Sequence, residues 1–334
     1  MLSIRELRDR AVIRPVKRAV EDQLLDLPGV TIVDIGEKLR AGRRTGEQVI
    51  VVSVMRKKPA DELRPGTRIP HHVLGIPTDV VEEQPVLEHI HRGSQENLAP
   101  RLRRLRGGAV AGGAGIAPYR AAYLVPPVVP VPGSYRRIGT LGVLVTANEP
   151  SATTMGLTTF DVACLDDAWA VGDRMVDPAG GRVHADLARA ALSGRVDAAA
   201  VTIASRLDTS HVVGGIGPVT GHAGTYPGER VRKCGFGTGL TLGVVTSVDA
   251  TLRLDHGDSL GIRVLREQIR VDTSGRRYCG PGDSGAAVID PGGRVIGLHV
   301  AGGRRGRVGF ACPIGGVLDE LDVALRTAAE LVGP

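Results

Sequence analysis

The sequence is poor in aromatic residues and cysteine, and it has no long apolar run. Aromatic residues make up 3% of its 334 residues, so the core must be built mainly from alanine, valine and other small or branched side chains. No apolar stretch approaches the roughly 20 residues that a transmembrane helix needs. The charged N-terminus also lacks the apolar core of a signal peptide. We therefore expect a cytoplasmic protein that does not associate with a membrane.

The cysteines are widely spaced and form no CxxC pair. They are Cys164, Cys234, Cys279 and Cys312. In a cytoplasmic protein such cysteines are expected to be free, buried thiols. Neither a metal nor a cofactor is predicted, because no cluster has metal-ligand spacing and a hydrophobic content of 42% is sufficient for an ordinary core.

The net charge of +6 is a mild basic bias. Its densest part is an arginine cluster made of Arg101, Arg103, Arg104 and Arg106. A nucleic-acid site would combine such a cluster with aromatic residues or a known binding module, and the sequence contains neither. Nucleic acid is therefore not an expected partner, and the cluster is either a solvated linker face or a contact for an acidic partner.

Three parts of the chain differ in composition, which predicts three units. Residues 1–91 mix helical and strand-like patterns, as in a small α+β domain. Residues 92–135 are rich in glycine and proline, which is typical of a linker. Residues 136–334 alternate short apolar runs with turn residues, which predicts an all-β domain.

Individual elements follow from the periodicity of apolar residues. A helix is predicted over 14–27, and strands are predicted over 30–35, 49–54 and 76–81. The β-rich part contains two helical exceptions. They are predicted at 185–192 and, with an amphipathic pattern, at 315–331.

The most informative segment contains Gly282-Asp283-Ser284-Gly285. Glycines on both sides of a serine permit a tight turn in which backbone N–H groups converge. The N–H groups of Gly282 and Ser284 would then stabilise a carbonyl oxygen as it becomes an oxyanion. The four-residue string is common, so its interpretation depends on the flanking segments.

Those flanks resemble trypsin-like serine peptidases, especially the bacterial streptogrisin and α-lytic branch. Residues 139–145 look like the first barrel strand, 155–158 like the strand before the catalytic histidine, and 231–245 like a strand-and-turn pattern of that branch. The similarity covers 138–320, and the N-terminal part looks like the small domain that precedes some intracellular bacterial members. The resemblance implies a mainly β, chymotrypsin-like double β-barrel with a C-terminal helix, preceded by a small α+β domain.

One position departs from the family. The resemblance places the catalytic residues at Ser284 and Asp197, and it places Asp161 where the family has the histidine that serves as general base. A carboxylate with a pKa of about 4 is too weak a base to activate a serine at neutral pH. Loss of a triad member costs about a millionfold in turnover in well-studied cases. Catalysis is therefore expected to be absent or strongly impaired.

A further segment resembles one wall of the primary specificity pocket. It contains the candidate substrate-binding residues His299, Val300, Ala301 and Gly302. A histidine at the matching place occurs in glutamate-selective trypsin-like enzymes and glutamine-selective picornavirus-type proteases. The resemblance therefore implies Glu or Gln before the scissile bond of a bound peptide. The alternative is that His299 is a hydrogen-bonded core histidine.

Other histidines could replace the missing base. Candidates in the β-rich part are His184, His211, His222 and His256. The sequence does not place any of them beside Ser284, and the simpler interpretation of each is a surface or loop histidine. The remaining histidines are expected outside the barrels, without the accompanying ligands of a metal site. They are His71, His72, His89 and His91.

Three functions fit these observations. The first is an impaired protease homologue that binds a peptide or protein partner along a strand edge. The second is an active intracellular serine endopeptidase with a substitute base and a Glu or Gln preference. The third is a purely structural role. The side chain that lies within hydrogen-bond reach of Ser284 separates the first two, and the N-terminal domain is expected to regulate the barrel domain or to dock a partner.

Overall fold

A computed structural model describes residues 3–40, 43–64, 66–93, 109–149, 153–178, 181–257 and 259–327. The arginine cluster at Arg101, Arg103, Arg104 and Arg106 lies outside these ranges. Within them, no helix combines the length and the apolar character needed to cross a bilayer.

The chain begins with helix α1 (Ile4–Leu25), which starts earlier than the apolar periodicity predicts. Its first turn is set by a capping box. The Glu6 N–H donates to Ser3 Oγ at 3.2 Å, and the Glu6 carboxylate accepts the Ser3 N–H at 2.6 Å. The apolar face that packs on the following strands begins only at Ile13, which explains why periodicity alone missed the first turns.

Six short or medium strands and one 3₁₀ turn follow α1, and they confirm the three strands predicted here. They are β1 (Val30–Arg40), β2 (Arg43–Val54), the 3₁₀ turn Ala60–Glu62, β3 (His72–Val73), β4 (Ile76–Glu82), β5 (Pro85–Leu87) and β6 (Ile90–Gly93). The first two strands are antiparallel, and β4 runs parallel to β2.

The second half of the predicted linker is not free of structure. It contains β7 (Val110–Gly112), β8 (Ala114–Pro118) and β9 (Ala122–Leu124). Strand β8 is a member of the first barrel, because its residues pair with strands on both sides. The division of the chain into domains stays a prediction.

The first barrel and the segment after it comprise nine strands and a short helix. They are β10 (Gly133–Leu141), β11 (Leu144–Ala147), β12 (Thr154–Thr158), α2 (Phe160–Ala163), β13 (Arg174–Val176), β14 (Val183–Leu192), β15 (Asp197–Ile203), β16 (Thr209–Val213), β17 (Gly217–Pro218) and β18 (Gly221–His222). The order β12-β15-β14-β13-β8-β10 closes on itself, because Gly142 after β10 donates to Leu157 of β12 at 2.7 Å.

The helix predicted at 185–192 is wrong, since these residues belong to β14. Alanine and leucine favour helices, but Ala185 and Leu187 are buried on one side while Asp186 between them is exposed. Pairing with β13 and β15 uses the backbone of the segment, so tertiary context overrides the local preference.

The second barrel closes because β19 pairs with both β20 and β22. Its strands and the final elements are β19 (Arg230–Gly235), β20 (Gly239–Asp255), β21 (Ile262–Asp272), β22 (Ala287–Ile289), β23 (Arg294–Gly303), β24 (Val308–Pro313), α3 (Ile314–Leu321) and β25 (Val323–Leu325). Two antiparallel barrels with a helix near the C-terminus confirm the predicted fold class.

The C-terminal helix is shorter than predicted. It ends at Leu321, because Asp322 adopts a left-handed backbone conformation with φ of 48°. Strand β25 then pairs with β11. The predicted residues beyond 327 lie outside the described part of the chain.

The N-terminal strands continue the sheet of the second barrel. Strand β1 pairs with β20 through Ile32 opposite Leu252 and Val33 opposite Thr251. After β4 the chain continues through β5 and β6. Strand β5 pairs with β23 of the second barrel, and β6 pairs with β10 of the first barrel. This path takes the N-terminal residues across the region where the two barrels meet.

Candidate functional site

Ser284 lies in the loop between β21 and β22 and faces the first barrel. The next residue, Gly285, has φ of +94°, and a Cβ at this position would lie 2.2 Å from the carbonyl oxygen of Thr140. Only glycine fits such a position. The Thr140 N–H donates to the Ser284 carbonyl at 2.8 Å, which fastens the loop to β10.

A buried ion pair stabilises the same loop. The Lys233 ammonium group contacts the Asp283 carboxylate, and both side chains are fully buried. The other carboxylate oxygen accepts the N–H groups of Gly237 and Thr238 at 3.1 and 3.0 Å. Asp283 therefore holds the loop through charge and hydrogen bonds together.

The N–H groups of Gly282 and Ser284 converge on one oxygen. That oxygen is the backbone carbonyl of Glu88, at 2.5 Å from the Gly282 nitrogen and 3.4 Å from the Ser284 nitrogen. Ser284 Oγ accepts the Glu88 N–H at 3.0 Å and donates to the Val300 carbonyl at 3.2 Å. A residue of the N-terminal part therefore occupies the candidate oxyanion site.

Glu88 belongs to residues 85–93, which we call the cleft segment. On one side of Glu88, β5 pairs antiparallel with β23, with Leu87 opposite Ala301 and Val86 opposite Gly302. On the other side, β6 pairs antiparallel with β10 of the first barrel. The cleft segment thus adds a strand to each barrel, which is how an extended peptide binds to a sheet edge.

The side chain of Glu88 is buried in a pocket with His299. Glu88 Oε2 lies 2.6 Å from His299 Nε2, and the Tyr278 ring packs edge-on against the His299 ring with centroids 6.0 Å apart. A Cβ at Gly302 would lie 2.3 Å from Glu88 Oε1 and 2.6 Å from Cys279 Sγ. The glycine therefore leaves the space that the carboxylate fills.

Glu88, Cys279 and His299 also offer the ligand types that zinc prefers, and their ligand atoms lie within 4.8 Å of one another. The Glu88 and His299 atoms are 2.6 Å apart, whereas two ligands of a tetrahedral zinc ion, each at about 2.0 Å, would be separated by more than 3 Å. Burial raises the pKa of the Cys279 thiol, which also disfavours the thiolate that zinc needs. The arrangement is that of a hydrogen-bonded acid pocket.

Asp161 lies in α2, shortly after the end of β12. Its N–H donates to Asp197 Oδ1 at 3.2 Å, and its own carboxylate contacts His89 Nδ1 at 2.7 Å and the Arg137 guanidinium at 3.2 Å. Burial alone would raise the pKa of Asp161, but the charges of His89 and Arg137 outweigh burial and hold it well below its usual value. Asp161 is therefore a charged, fully buried acceptor.

The expectation that His89 and His91 lie outside the barrels is wrong. Their Nε2 atoms are 3.0 Å apart, and β6 carries both into contact with the first barrel. Burial and the charges of His89 and Arg137 lower the pKa of His91 to about 4. Only the pairing of β6 with β10 brings these side chains to Asp161, and no local sequence pattern signals that pairing.

Sequence reasoning also left His256 unplaced. Its Nε2 lies 2.8 Å from Asp197 Oδ2, and both side chains are fully buried. Burial alone would lower the pKa of His256, but the hydrogen bond and charge of Asp197, with the charge of Asp161, raise it overall. The turn between β20 and β21 brings this imidazole to Asp197, the predicted catalytic aspartate, from a different part of the chain.

No imidazole completes the constellation around Ser284 in the part of the chain that the structure describes. The hydrogen bonds of Ser284 Oγ go to the backbone of Glu88 and Val300. Three imidazoles contact carboxylates instead: His256 contacts Asp197, His89 contacts Asp161, and His299 contacts Glu88.

No protein-family model and no curated protein matches the sequence. Solved structures with a similar fold are serine proteases. Thermobifida fusca protease A is 22% identical, with a TM-score of 0.47, over 66% of this chain and 100% of its own. A serine protease described as specific for glutamic acid, with a histidine triad in substrate binding, is 17% identical, with a TM-score of 0.47, over 65% and 100%. An α-lytic protease homologue, N4, is 19% identical, with a TM-score of 0.47, over 65% and 100%.

Proposed function

We propose that this protein is a trypsin-like serine-peptidase homologue that binds an extended peptide between its barrels and has strongly impaired catalysis. The observation that carries the proposal is the placement of Glu88. Its carbonyl oxygen accepts the Gly282 N–H at 2.5 Å, and the residues before it pair with β23. A peptide bound in this way uses main-chain hydrogen bonds for affinity and one side-chain pocket for selectivity.

Impaired catalysis is supported by the surroundings of the nucleophile. Ser284 Oγ donates to a backbone carbonyl, so its proton is not directed to a base. Asp161 stands at the family's histidine position and is held charged by His89 and Arg137, which makes it a poor proton acceptor. Neither carboxylate can accept from serine while donating to the other, as an imidazole does.

Selectivity for glutamate is supported by the contacts of the Glu88 carboxylate. One of its oxygens lies 2.6 Å from His299 Nε2, whereas the Cys279 thiol donates to the Val308 carbonyl at 3.1 Å. The imidazole N–H is a donor, and a hydrogen bond to a charged carboxylate is stronger than one to the neutral amide oxygen of glutamine. We therefore narrow the expected Glu or Gln preference to Glu.

A second candidate function is an active endopeptidase with a substitute base. The observation that favours it is the hydrogen bond of 2.8 Å between His256 and Asp197. An imidazole oriented by a buried carboxylate is the usual partner of a catalytic serine. For this function His256 would have to reach Ser284 Oγ, with which it shares no hydrogen bond.

Location remains part of the proposal. Cys164, Cys234, Cys279 and Cys312 are all buried, and none of them forms a disulfide. Free thiols are typical of a reducing compartment, which supports the cytoplasm.

The test is labelling of Ser284 by a fluorophosphonate, read by intact mass. Because the cleft segment covers Ser284, the full chain is compared with a Glu88→Ala/His89→Ala variant that weakens its hold. Asp161→His is then added to each form, and Ser284→Ala is the control. We expect rapid labelling only when Asp161→His is combined with the weakened cleft segment.

Rapid labelling of the weakened form without Asp161→His would contradict the proposal. Loss of that labelling on adding His256→Gln would then establish the substitute-base function.

A further inference from the structure

We propose that the external ligand is an extended peptide in which a histidine follows the glutamate, that Asp161 selects this histidine, and that the cleft segment is an intramolecular copy of such a ligand. This inference rests on the proposed function and specifies its ligand. It assigns to Asp161 a role in recognition, at the position where the family resemblance implies a catalytic base.

The contacts of Asp161 carry the first step. Its side chain is fully buried, and its Oδ2 has a contact of 2.7 Å with His89 Nδ1. Arg137 approaches the other oxygen, Oδ1, at 3.2 Å. A residue without a donor in place of His89 would leave Oδ2 buried and unsatisfied, which is unfavourable.

The second nitrogen of the same imidazole has a partner within the cleft segment. His89 Nε2 lies 3.0 Å from His91 Nε2, and the two rings meet edge to face with centroids 4.5 Å apart. The low pKa of His91, about 4, keeps that ring neutral near pH 7. A neutral ring can accept from or donate to His89, so the His89 imidazole is held at both nitrogens, by Asp161 and by His91.

The register of the cleft segment distinguishes a ligand copy from incidental packing. The Glu88 carbonyl lies at the paired N–H groups of Gly282 and Ser284, while the Glu88 side chain fills the acid pocket. Strand pairing continues on both sides of this residue, with β23 before it and β10 after it. Packing of an unrelated loop would not require all of these contacts in one register.

Tethering has a consequence for binding. A segment joined covalently to the protein competes at a high effective concentration, in the millimolar range for short flexible tethers (~1 mM). An external peptide with the same contacts therefore binds weakly until the internal copy is loosened.

The experiment uses a fluorescent peptide with the sequence of residues 85–93, PVLEHIHRG, and measures anisotropy on full-length protein. The proteins are the unaltered chain and the Glu88→Ala/His89→Ala variant, whose own segment lacks both anchoring side chains. Two further peptides replace the glutamate by glutamine or its following histidine by alanine. The fold of each protein is checked by circular dichroism and thermal melting.

We expect the parent peptide to bind the variant at least about tenfold more tightly than the unaltered chain. On the variant, the histidine-to-alanine peptide should bind about tenfold more weakly than the parent, because it leaves Asp161 unsatisfied. Adding Asp161→Asn should abolish this difference and retain the difference between the glutamate and glutamine peptides. The peptide series needs no Asp161 variant, so its result stands even if Asp161→Asn does not fold.

The failures are distinguishable. If no peptide binds either protein, the proposed function fails. If glutamate is preferred over glutamine but the alanine peptide binds as well as the parent, only the role of Asp161 is overturned. Equal affinity of the unaltered chain and the variant for the parent peptide would show that the cleft segment is not a competing copy.

Discussion

The hydrogen bonds of the Ser284 hydroxyl go to the backbone of the cleft segment and of β23. Its hydroxyl lies between the Glu88 N–H and the Val300 carbonyl, at 3.0 and 3.2 Å. A serine becomes a nucleophile when a base removes its proton, and here that proton is directed to a carbonyl. The side chain therefore helps to hold Glu88 of the cleft segment, as the N–H groups of Gly282 and Ser284 do.

Gly302→Ala adds one methyl group to the pocket in which the Glu88 side chain meets His299. The new Cβ would lie 2.3 Å from Glu88 Oε1, so we expect the Glu88 side chain to be displaced. Hydrogen exchange by mass spectrometry should show at least about tenfold lower amide protection in residues 86–93. Gly224→Ala is the matched control, because a Cβ there meets nothing within 4 Å. Unchanged protection in Gly302→Ala would show that the pocket does not hold the segment.

Lys233→Met tests the buried ion pair with Asp283 in the loop that carries Ser284. The substitution leaves Asp283 charged in a fully buried place, and we expect a loss of about 3–5 kcal/mol in the free energy of unfolding. Chemical denaturation provides the measurement, and adding Asp283→Asn should recover part of the loss. Arg120→Met removes a partly exposed ion pair with Asp166. For this variant we expect the free energy of unfolding to fall by at most about 1 kcal/mol. If Lys233→Met and Arg120→Met lowered the free energy of unfolding equally, burial would not explain the importance of the Lys233–Asp283 pair.

Strand β6 gives the cleft segment a dependence on pH. In the occupied cleft the pKa of His91 is lowered to about 4 from 6.5 by burial and by the charges of His89 and Arg137, with Asp161 opposing. Between about pH 4 and pH 6.5, the released segment therefore binds more protons than the segment in the cleft. Acidification thus favours release of the segment, and neutral pH favours its binding in the cleft.

We expect the amide protection factors of residues 90–93, corrected for intrinsic exchange, to fall several-fold (roughly 3- to 10-fold) from pH 7.0 to pH 5.0. His91→Asn keeps a polar side chain that does not titrate, so it should remove most of this change. If the variant keeps the full pH dependence, another group is responsible.

The elements differ in how far the sequence predicts them. Strands β1 and β2 are recognisable because each contains a run of β-branched and other apolar residues, most of which are buried. Strand β14 is not recognisable, since its alanines favour a helix and only its partners make it a strand. The loop that carries Ser284 is predicted by its glycines, because the positive φ that Gly282 and Gly285 adopt is a local property of the backbone.

The rest of the site depends on contacts between distant parts of the chain. His89 meets Asp161 across 72 positions, and His256 meets Asp197 across 59. Nothing in the neighbourhood of either histidine signals such a contact, because each is brought in by strand pairing or a hairpin turn. A residue without a local signal can therefore be assigned only once the topology is known.

At the scale of the whole molecule, the N-terminal part is anchored to the second barrel. Ile32 of β1 is fully buried and belongs to the same core as barrel residues Leu252 and Leu265. Helix α1 adds an ion pair between Arg14 and Asp249 of β20. The cleft segment follows directly from this anchored part, so its hold on the cleft should depend on the anchor.

Ile32→Ala tests this coupling at a distance from the cleft. Removing a fully buried isoleucine should lower the free energy of unfolding by about 2–5 kcal/mol, as measured by chemical denaturation. If the anchor holds the cleft segment in place, the fluorescent parent peptide should also bind this variant several-fold (about 3- to 10-fold) more tightly than the unaltered chain. Val12→Ala in α1 is the control, because Val12 is 64% exposed and should change neither quantity. Destabilisation without tighter binding would mean that the barrels hold the cleft segment independently of the N-terminal anchor.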